Sequence, residues 1–304
     1  MTIGLCSGLL ALNCGIRSRS KEKNVKATVQ IKGSDTMVNV EQAWAEEYKK
    51  VRPDVNLEVS GGGSGVGIAA LEKGAINIAA ASRDMKREEF EQTQKNTGKE
   101  PKEFVVGFDA LAVFVHRENP IERISLDQLS GIFIEGGAIT RWSQLGVAIP
   151  GVKDDRIVLV SRQSSSGTYF FFRERVLHKK DFRLGSLDMN GSKEVVELVS
   201  NTKTAIGYSG MGYATEGVKM LNVAIHEGDA AVSPTLENTL AKRYPLARSL
   251  HFYTLGEPTG ESKAFIDWVL SKAGQVIVKD NGYVPIAAAD LTMGAGDVSP
   301  ALGK

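Results

Sequence analysis

Apolar residues recur along the first third of the chain with two different periods. Residues 27–31 alternate and are rich in β-branched side chains, which predicts a strand. Val40, Trp44 and Tyr48 recur at four-residue intervals, which predicts an amphipathic helix that ends before Pro53. The same patterns predict a strand over 55–59, a helix over 66–73 and a strand over 76–81. This β-α-β-α-β order favours an α/β fold with a parallel sheet and helices on its faces.

Two later apolar segments are interpreted as crossings between two lobes. One is the run 104–115, which Gly107 and Asp109 interrupt, and the other is the segment 250–254. A chain of 304 residues exceeds the usual size of one hydrophobic core, so two lobes are plausible. The predicted organisation is a leader and linker over 1–24, a first lobe over 25–109 plus 251–290, a second lobe over 110–250 and a C-terminal tail over 291–304.

The remaining segments are predicted more coarsely. The charged stretch 86–102 is typical of a solvated helix and loop, and the residues 265–270 predict a final helix. Four consecutive aromatic residues, 169–172, cannot share one helix face and therefore predict a helix buried on several sides. Further apolar segments lie at 126–133 and 142–145, predicted strands at 157–160 and 205–208, and a helical patch at 195–199.

Three loops rich in Gly, Ser and Thr follow predicted strands and precede predicted helices. A helix N-terminus leaves backbone N–H groups unpaired and carries the positive end of the helix dipole, so such loops bind phosphate-like anions. One such loop is most often only a turn, but three that converge at the ends of parallel strands favour a shared anion-binding cage. The loops are Gly33-Ser34-Asp35-Thr36, the segment 61–65 with Ser64, and the segment 162–168 with Arg162, Ser166, Gly167 and Thr168.

Within these loops, Arg162 is the strongest single candidate for an anion ligand. Its guanidinium offers a fixed fork of donors that matches two oxygens of a tetrahedral oxyanion. The alternative for this residue is an ordinary ion pair at a strand end. Ser64 is interpreted as a hydrogen-bond donor rather than a nucleophile, because the chain contains no G-x-S-x-G motif. The pattern therefore indicates binding rather than catalysis.

The composition and the motifs argue against several other classes of protein. Lys and Arg total 37 against 36 Asp and Glu, so the chain lacks the basic excess of a general nucleic-acid binder. The four histidines are scattered without H-E-x-x-H spacing, and no P-loop motif occurs. Residues 65–70 fit the loose G-x-G-x-x-A dinucleotide pattern, with Asp84 downstream. A dinucleotide-dependent enzyme therefore remains a remote alternative.

The N-terminal segment predicts export. Residues 3–15 are apolar, are as long as the core of a signal peptide and are too short to span a bilayer. Both cysteines, Cys6 and Cys14, lie here, so the rest of the chain has no disulfide and no C-x-x-C site. The sequence before Cys14 resembles a lipobox, although Asn13 stands where a small residue is usual. The expected location is the periplasm or the cell surface, with a lipid anchor on Cys14; a plain cleaved signal is the alternative.

Beyond the three loops, four more segments resemble one family. They are Ala-Ala-Ser-Arg at 80–83, Ala-Ile-Gly-Tyr at 205–208, Phe-Ile-Asp-Trp-Val at 265–269 and Gly-Tyr-Val-Pro at 282–285. With the loops, they resemble the phosphate-binding proteins of Pst-type ABC phosphate importers over residues 27–287. The resemblance implies a two-lobed periplasmic-binding-protein fold of type II, whose hinge closes over one phosphate without a cofactor or metal.

The resemblance also implies the residues of a phosphate site and one departure from the family. Ser82 and Arg83 align with a segment in which relatives carry an aspartate, and this chain has Arg83 in its place; in relatives that aspartate accepts the proton of hydrogen phosphate and so rejects sulfate. Asp35 and Asp84 are the nearest alternative acceptors, and Ser164 stands where an acidic partner of the arginine is expected. The implied ligands are Ser34, Asp35, Thr36, Ser64, Ser82, Arg83, Arg162, Ser166, Gly167 and Thr168.

The function expected from sequence is that of an exported monomeric receptor. It would capture inorganic phosphate and deliver it to the membrane subunits of an ABC permease. Alternatives are a receptor for sulfate, molybdate or another tetrahedral oxyanion, and a surface sensor or adhesin that uses the same fold without transport.

Overall fold

The computed structural model of the chain describes residues 27–286. The predicted leader with Cys6 and Cys14, and the predicted tail over 291–304, lie outside the described residues. The strands are β1 (Ala27–Gly33), β2 (Val55–Ser60), β3 (Ile78–Ala81), β4 (Pro101–His116), β5 (Arg123–Ser125), β6 (Val158–Arg162), β7 (Leu187–Met189), β8 (Ala205–Gly210), β9 (Val218–Met220), β10 (Asn222–Ala224) and β11 (Ala247–Leu255). The α-helices are α1 (Val38–Val51), α2 (Ser64–Glu72), α3 (Arg87–Thr97), α4 (Leu126–Phe133), α5 (Gly167–Arg175), α6 (Ser192–Ser200), α7 (Leu236–Leu240), α8 (Gly260–Leu270) and α9 (Lys272–Asp280).

The first part of the chain forms the predicted parallel β-α-β-α-β unit. Strand β1 lies between β2 and β3 and is parallel to both. Helix α2 begins at Ser64, two residues earlier than predicted, because Gly63 adopts a φ of +100° that turns the chain into the helix. Strand β3 begins at Ile78 rather than at 76. The N–H of Asn77 donates to the carbonyl of Gln30, and the Asn77 side-chain oxygen accepts from the N–H of Gln30, so Asn77 caps the start of the strand.

Strand β4 connects two sheet regions. In its first part β4 pairs antiparallel with β11, as far as Ala110 opposite Ala247. From Leu111 onward it pairs with β8 instead. The strands lie in the order β2-β1-β3-β11-β4-β8-β6-β7, and β9 pairs with the end of β4. The apolar run interpreted as a crossing is therefore one continuous strand that belongs to both regions.

Helix α5 is less buried than its aromatic residues predict. Phe172 is fully buried and stacks on Tyr208 at 3.9 Å, but Phe170 is only partly buried. The Phe170 ring is covered by the Lys86 ammonium at 4.0 Å and by the Arg83 guanidinium at 5.2 Å. The prediction of burial on several sides was thus only partly right, because cations rather than apolar side chains cover this face.

The C-terminal part of the described chain contains two helices where one was predicted. Ser271 adopts an extended backbone conformation with ψ 167°, which separates α8 from α9. Both helices contact α1, where Trp44 donates a hydrogen bond to the carbonyl of Gly274 at 2.8 Å. Within residues 27–286, no helix combines the length and the apolar character needed to cross a membrane.

Candidate functional site

The three predicted loops meet in the structure. Each one follows a strand and leads into a helix, namely β1 into α1, β2 into α2 and β6 into α5. The hydroxyl oxygens of Thr36 and Thr168 lie 2.8 Å apart, although 132 positions separate them in sequence. Ser34 donates to the Ser82 hydroxyl at 2.9 Å, and the Ser64 hydroxyl accepts from the Ser82 N–H at 3.1 Å. These hydroxyls are buried and form one polar cluster, which we call the cage.

Contacts between the second and third loops close the cage. The N–H of Gly65 donates to the carbonyl of Ser165 at 3.0 Å, and the Ser165 hydroxyl donates to the carbonyl of Gly62 at 3.1 Å. A Cβ atom added to Gly167 would lie 2.3 Å from the Ser64 hydroxyl and 2.7 Å from the Ser82 hydroxyl. The second and third loops therefore touch, and Gly167 lies where there is no room for a side chain.

Three backbone N–H groups of the cage loops are free to donate. Among the described residues, the N–H groups of Thr36, Ser64 and Gly167 make no hydrogen bond. Ser64 and Gly167 are the first residues of α2 and α5, so their N–H groups lie at positive helix ends. Ser166 caps α5, where its hydroxyl accepts from the N–H of Thr168 at 3.1 Å. The cage therefore offers N–H groups and hydroxyls, which suit an oxyanion.

Arg162 is buried at the edge of the cage, and its side chain is 1% exposed. It donates to the Asp35 carboxylate at 2.9 Å, to the Asn190 carbonyl at 2.9 Å and to the Ser192 hydroxyl at 3.0 Å. Asp35 thus provides the acidic partner that the resemblance placed at Ser164, which is exposed. Burial lowers the pKa of Arg162, and the charge of Asp35 opposes this shift.

Arg83 lies beside the cage but is held by another residue. Its guanidinium makes two hydrogen bonds to the Glu89 carboxylate, at 2.6 and 2.8 Å. Burial tends to raise the pKa of Glu89, but the hydrogen bonds from Arg83 and from the Lys86 backbone lower it overall. This two-point pairing fixes the plane of the guanidinium. The structure therefore places Ser82 in the cage and directs Arg83 away, toward α3.

Sequence reasoning missed the most enclosed ion pair of the site. Arg248 of β11 and Asp109 of β4 face each other in register, and their side chains are 2% and 0% exposed. Arg248 donates to Asp109 at 2.7 and 3.0 Å. It also donates to the hydroxyls of Thr36 at 3.2 Å and Thr168 at 3.0 Å, and to the carbonyl of Ser82 at 3.2 Å. Arg248 therefore hydrogen-bonds to residues of the first and third loops at the same time.

The charges around the cage are balanced. Arg162 is paired with Asp35, and Arg248 is paired with Asp109. Burial raises the pKa of Asp109, and the charge of Arg248 opposes this shift. With the cations compensated, selectivity for an anion depends on the geometry of N–H groups and hydroxyls rather than on net charge.

A buried carboxyl group lies behind the first loop. Glu41, in the first turn of α1, is fully buried, and neither of its side-chain oxygens has a hydrogen-bond partner among the described residues. Burial, and secondarily the charge of Asp35, raise its pKa well above 4.5. The Glu41 carboxyl group therefore ionises at a lower pH in the unfolded chain than in the folded protein. The stability that its neutral form provides is present below the unfolded pKa and is lost as pH rises from there through the folded pKa.

We expect Glu41→Gln to stabilise the protein at pH 8 more than at pH 4.5. Because Gln does not ionise, the free energy of unfolding of the variant should rise relative to that of the wild type as the pH increases from 4.5 to 8, by about 1.4 kcal/mol for each unit by which burial raises the pKa. Urea denaturation at both pH values measures it. Glu46→Gln, on the exposed side of the same helix, is the matched control and should show no such pH dependence. Equal effects of the two variants would contradict the assignment.

The glycines of the dinucleotide-like pattern have a packing role. A Cβ atom at Gly67 would lie 2.2 Å from the carbonyl oxygen of Lys32, because α2 packs directly on β1. The N–H of Gly65 is bonded to the Ser165 carbonyl across the cleft. Asp84 is 90% exposed and lies beside His251, outside the cage. The pattern is therefore explained by close packing, without a dinucleotide.

A two-lobed α/β structure with a polar cage between its halves is typical of solute-binding proteins. A family model described as "PBP superfamily domain" matches residues 18–273. The phosphate-binding protein PstS of Pseudomonas aeruginosa PAO1 is 36% identical over 296 residues, which cover 94% of this chain and 91% of that protein. PstS of Bacillus subtilis 168 is 31% identical over 297 residues, which cover 94% of this chain and 93% of that protein.

The solved structures agree with the sequence relatives. A phosphate ABC transporter substrate-binding protein from Clostridium perfringens, crystallised with bound phosphate, matches with a TM-score of 0.75 and 33% identity. The match covers 86% of this chain and 100% of that chain. The chain therefore belongs to the PBP superfamily and, within it, to the family of these PstS proteins. The expected type II periplasmic-binding-protein fold is confirmed, and the family consists of binding proteins rather than enzymes.

Proposed function

We propose that this protein is the extracytoplasmic solute-binding component of an ABC importer and that it binds inorganic phosphate in the cage. The observation that carries the proposal is the set of unpartnered N–H groups of Thr36, Ser64 and Gly167 beside buried hydroxyls. The PstS relatives and the phosphate-bound structure from Clostridium perfringens support the same ligand. The permease subunits, a monomeric state and lipidation of Cys14 are parts of this proposal.

The number of donors is sufficient for tight binding. Hydrogen bonds to a charged group contribute about 1.5 to 3 kcal/mol each. Micromolar affinity requires about 8 kcal/mol, so four or five contacts suffice after the cost of closure. We propose as ligands the residues that meet in the cage, namely Ser34, Thr36, Ser64, Ser82, Ser166, Gly167 and Thr168, together with Arg162 and Arg248.

We propose Asp35 as the acceptor that replaces the family's aspartate. Its carboxylate lies at the cage edge, where one oxygen accepts from the Gly62 N–H at 2.8 Å and the other from Arg162 at 2.9 Å. Each carboxylate oxygen has a further lone pair, which suits the P–OH group of hydrogen phosphate. Sulfate at neutral pH has no proton to donate, so it would leave Asp35 facing an unprotonated oxygen.

We propose that the lobes comprise residues 25–109 plus 251–290 and residues 110–250. The change of partner along β4, between Ala110 and Leu111, supports the first boundary. The return boundary lies on β11, where Arg248 is paired with Asp109. The proposed hinge thus coincides with the buried ion pair, so opening of the cleft would change the contacts of Arg248.

Isothermal titration with phosphate, sulfate and molybdate tests the function. For the chain without residues 1–24 we expect micromolar or tighter phosphate binding and no sulfate binding. Arg162→Ala should weaken phosphate binding at least tenfold, because the variant removes a buried fork of donors and leaves Asp35 uncompensated. An unchanged affinity would remove Arg162 from the site.

The other outcomes distinguish the alternatives. Tighter binding of sulfate or molybdate would assign a different oxyanion. Tight phosphate binding without loss of phosphate uptake on deletion of the gene would favour a sensor over an importer component. Asp35→Asn tests the acceptor role, since it should admit sulfate; it should also lower the thermal stability, because it leaves the buried Arg162 guanidinium without its anion.

A further inference from the structure

Three metal-ligating side chains meet outside the cage. His251 lies on β11, Glu103 lies at the start of β4, and Asp84 follows β3. One ring nitrogen of His251 is 3.2 Å from the Asp84 carboxylate, and the other is 2.8 Å from the Glu103 carboxylate. One ligand atom from each residue lies within 4.8 Å of the others. Two ligand atoms of one ion lie at most about 4.4 Å apart, so a single ion contacts all three once the exposed carboxylates of Asp84 and Glu103 move slightly toward one ring nitrogen.

The histidine itself points to a ligand. His251 is 3% exposed, and neither of its ring nitrogens makes a hydrogen bond of acceptable geometry with any described residue. Buried polar atoms in proteins are rarely left in this state. Two ligand atoms bound to tetrahedral zinc at 2.0 to 2.1 Å lie about 3.3 Å apart, close to the separation of His251 and Asp84.

Neighbouring residues orient two of the three side chains. The Tyr253 hydroxyl donates to Glu103 at 2.6 Å and accepts from the Met85 N–H at 3.0 Å. The Tyr253 ring stacks on His251 at 5.7 Å. The register of β11 against β4 shifts between Leu250 and His251, an irregularity of the kind that redirects a side chain. Such supporting contacts are typical of metal ligands.

We propose that Asp84, Glu103 and His251 bind one divalent metal ion of the zinc type, with water completing its coordination. A mixed set of one imidazole and two carboxylates suits zinc and similar transition ions better than calcium or magnesium. Asp84 follows Ser82 and Arg83, so a bound ion would attach the loop after β3 to β4 and β11. The site is separate from the anion cage and does not depend on the proposed phosphate function.

Competition for Zn²⁺ with a chromophoric chelator tests the proposal. The full chain, without a polyhistidine tag and with Cys6→Ser and Cys14→Ser so that no thiol competes, is titrated in phosphate-free buffer. We expect one zinc per chain at micromolar affinity or tighter. Asp84→Asn and His251→Asn should each weaken binding at least about tenfold, the lower end of the effects seen for supporting residues.

His226→Asn is the matched control. His226 also has a carboxylate neighbour, Asp127 at 3.0 Å, but its side chain is 69% exposed, and no third ligand joins this pair among the described residues. It should leave zinc binding unchanged. Asp84 is exposed, so Asp84→Asn tests the site even where His251→Asn disturbs folding. Absence of stoichiometric zinc binding, retention of zinc by Asp84→Asn, or an equal loss in His226→Asn would overturn the proposal.

Discussion

Arg248→Met is expected to destabilise the protein by about 3 to 5 kcal/mol, because it leaves the Asp109 carboxylate buried without its cation. The same change removes the donors that hold the hydroxyls of Thr36 and Thr168. Two charge-assisted hydrogen bonds are worth at least about 3 kcal/mol together, so phosphate affinity should fall by at least ~100-fold. Urea denaturation and phosphate titration measure the two effects separately.

A double variant separates stability from binding. Arg248→Met combined with Asp109→Leu removes both buried charges and should recover most of the lost stability. It should not recover phosphate binding, because the donors remain absent. Arg243→Met, which removes an exposed cation paired with Glu237, is the surface control and should change stability by less than about 1 kcal/mol. Full phosphate affinity in the double variant would exclude Arg248 from the site.

Gly167→Ala should abolish tight phosphate binding while the fold remains intact. The new methyl group would lie 2.3 Å from the Ser64 hydroxyl and 2.7 Å from the Ser82 hydroxyl. These distances are far below van der Waals contact, and the two hydroxyls belong to the opposite side of the cleft. Either the two hydroxyls would have to rotate away or the lobes would have to stay apart, and both changes remove contacts of the cage, so we expect at least ~100-fold weaker binding, which corresponds to about 3 kcal/mol.

Gly191→Ala provides the matched control for this variant. Gly191 likewise lies at the start of a helix, immediately before α6, but a Cβ atom there would meet nothing within 4 Å. It should bind phosphate as the wild type does. Small-angle scattering with and without phosphate shows whether the lobes of Gly167→Ala stay apart. Gly191→Ala should become more compact when phosphate binds, as the wild type does. Normal affinity in Gly167→Ala would show that the cleft binds its ligand without this close approach.

Much of the fold followed from local patterns. The alternation over 27–31 and the four-residue spacing of Val40, Trp44 and Tyr48 depend only on which side chains face one core, so they predicted β1 and α1 well. Element ends were less well predicted. The start of α2 depends on the positive φ of Gly63, and the break between α8 and α9 depends on the conformation of Ser271.

The sequence by itself determined the α/β class, the family and the three loops at strand ends, because these depend on the spacing of apolar residues and on short-range patterns of Gly, Ser and Thr. Only the tertiary structure decided which charges meet. Asp109 was visible as an interruption of an apolar run, yet its partner Arg248 lies 139 positions away on β11. The same holds for Arg162 with Asp35 and for Arg83 with Glu89. Strand register and the closing of two lobes bring these side chains together, and neither can be read from the residues adjacent in sequence.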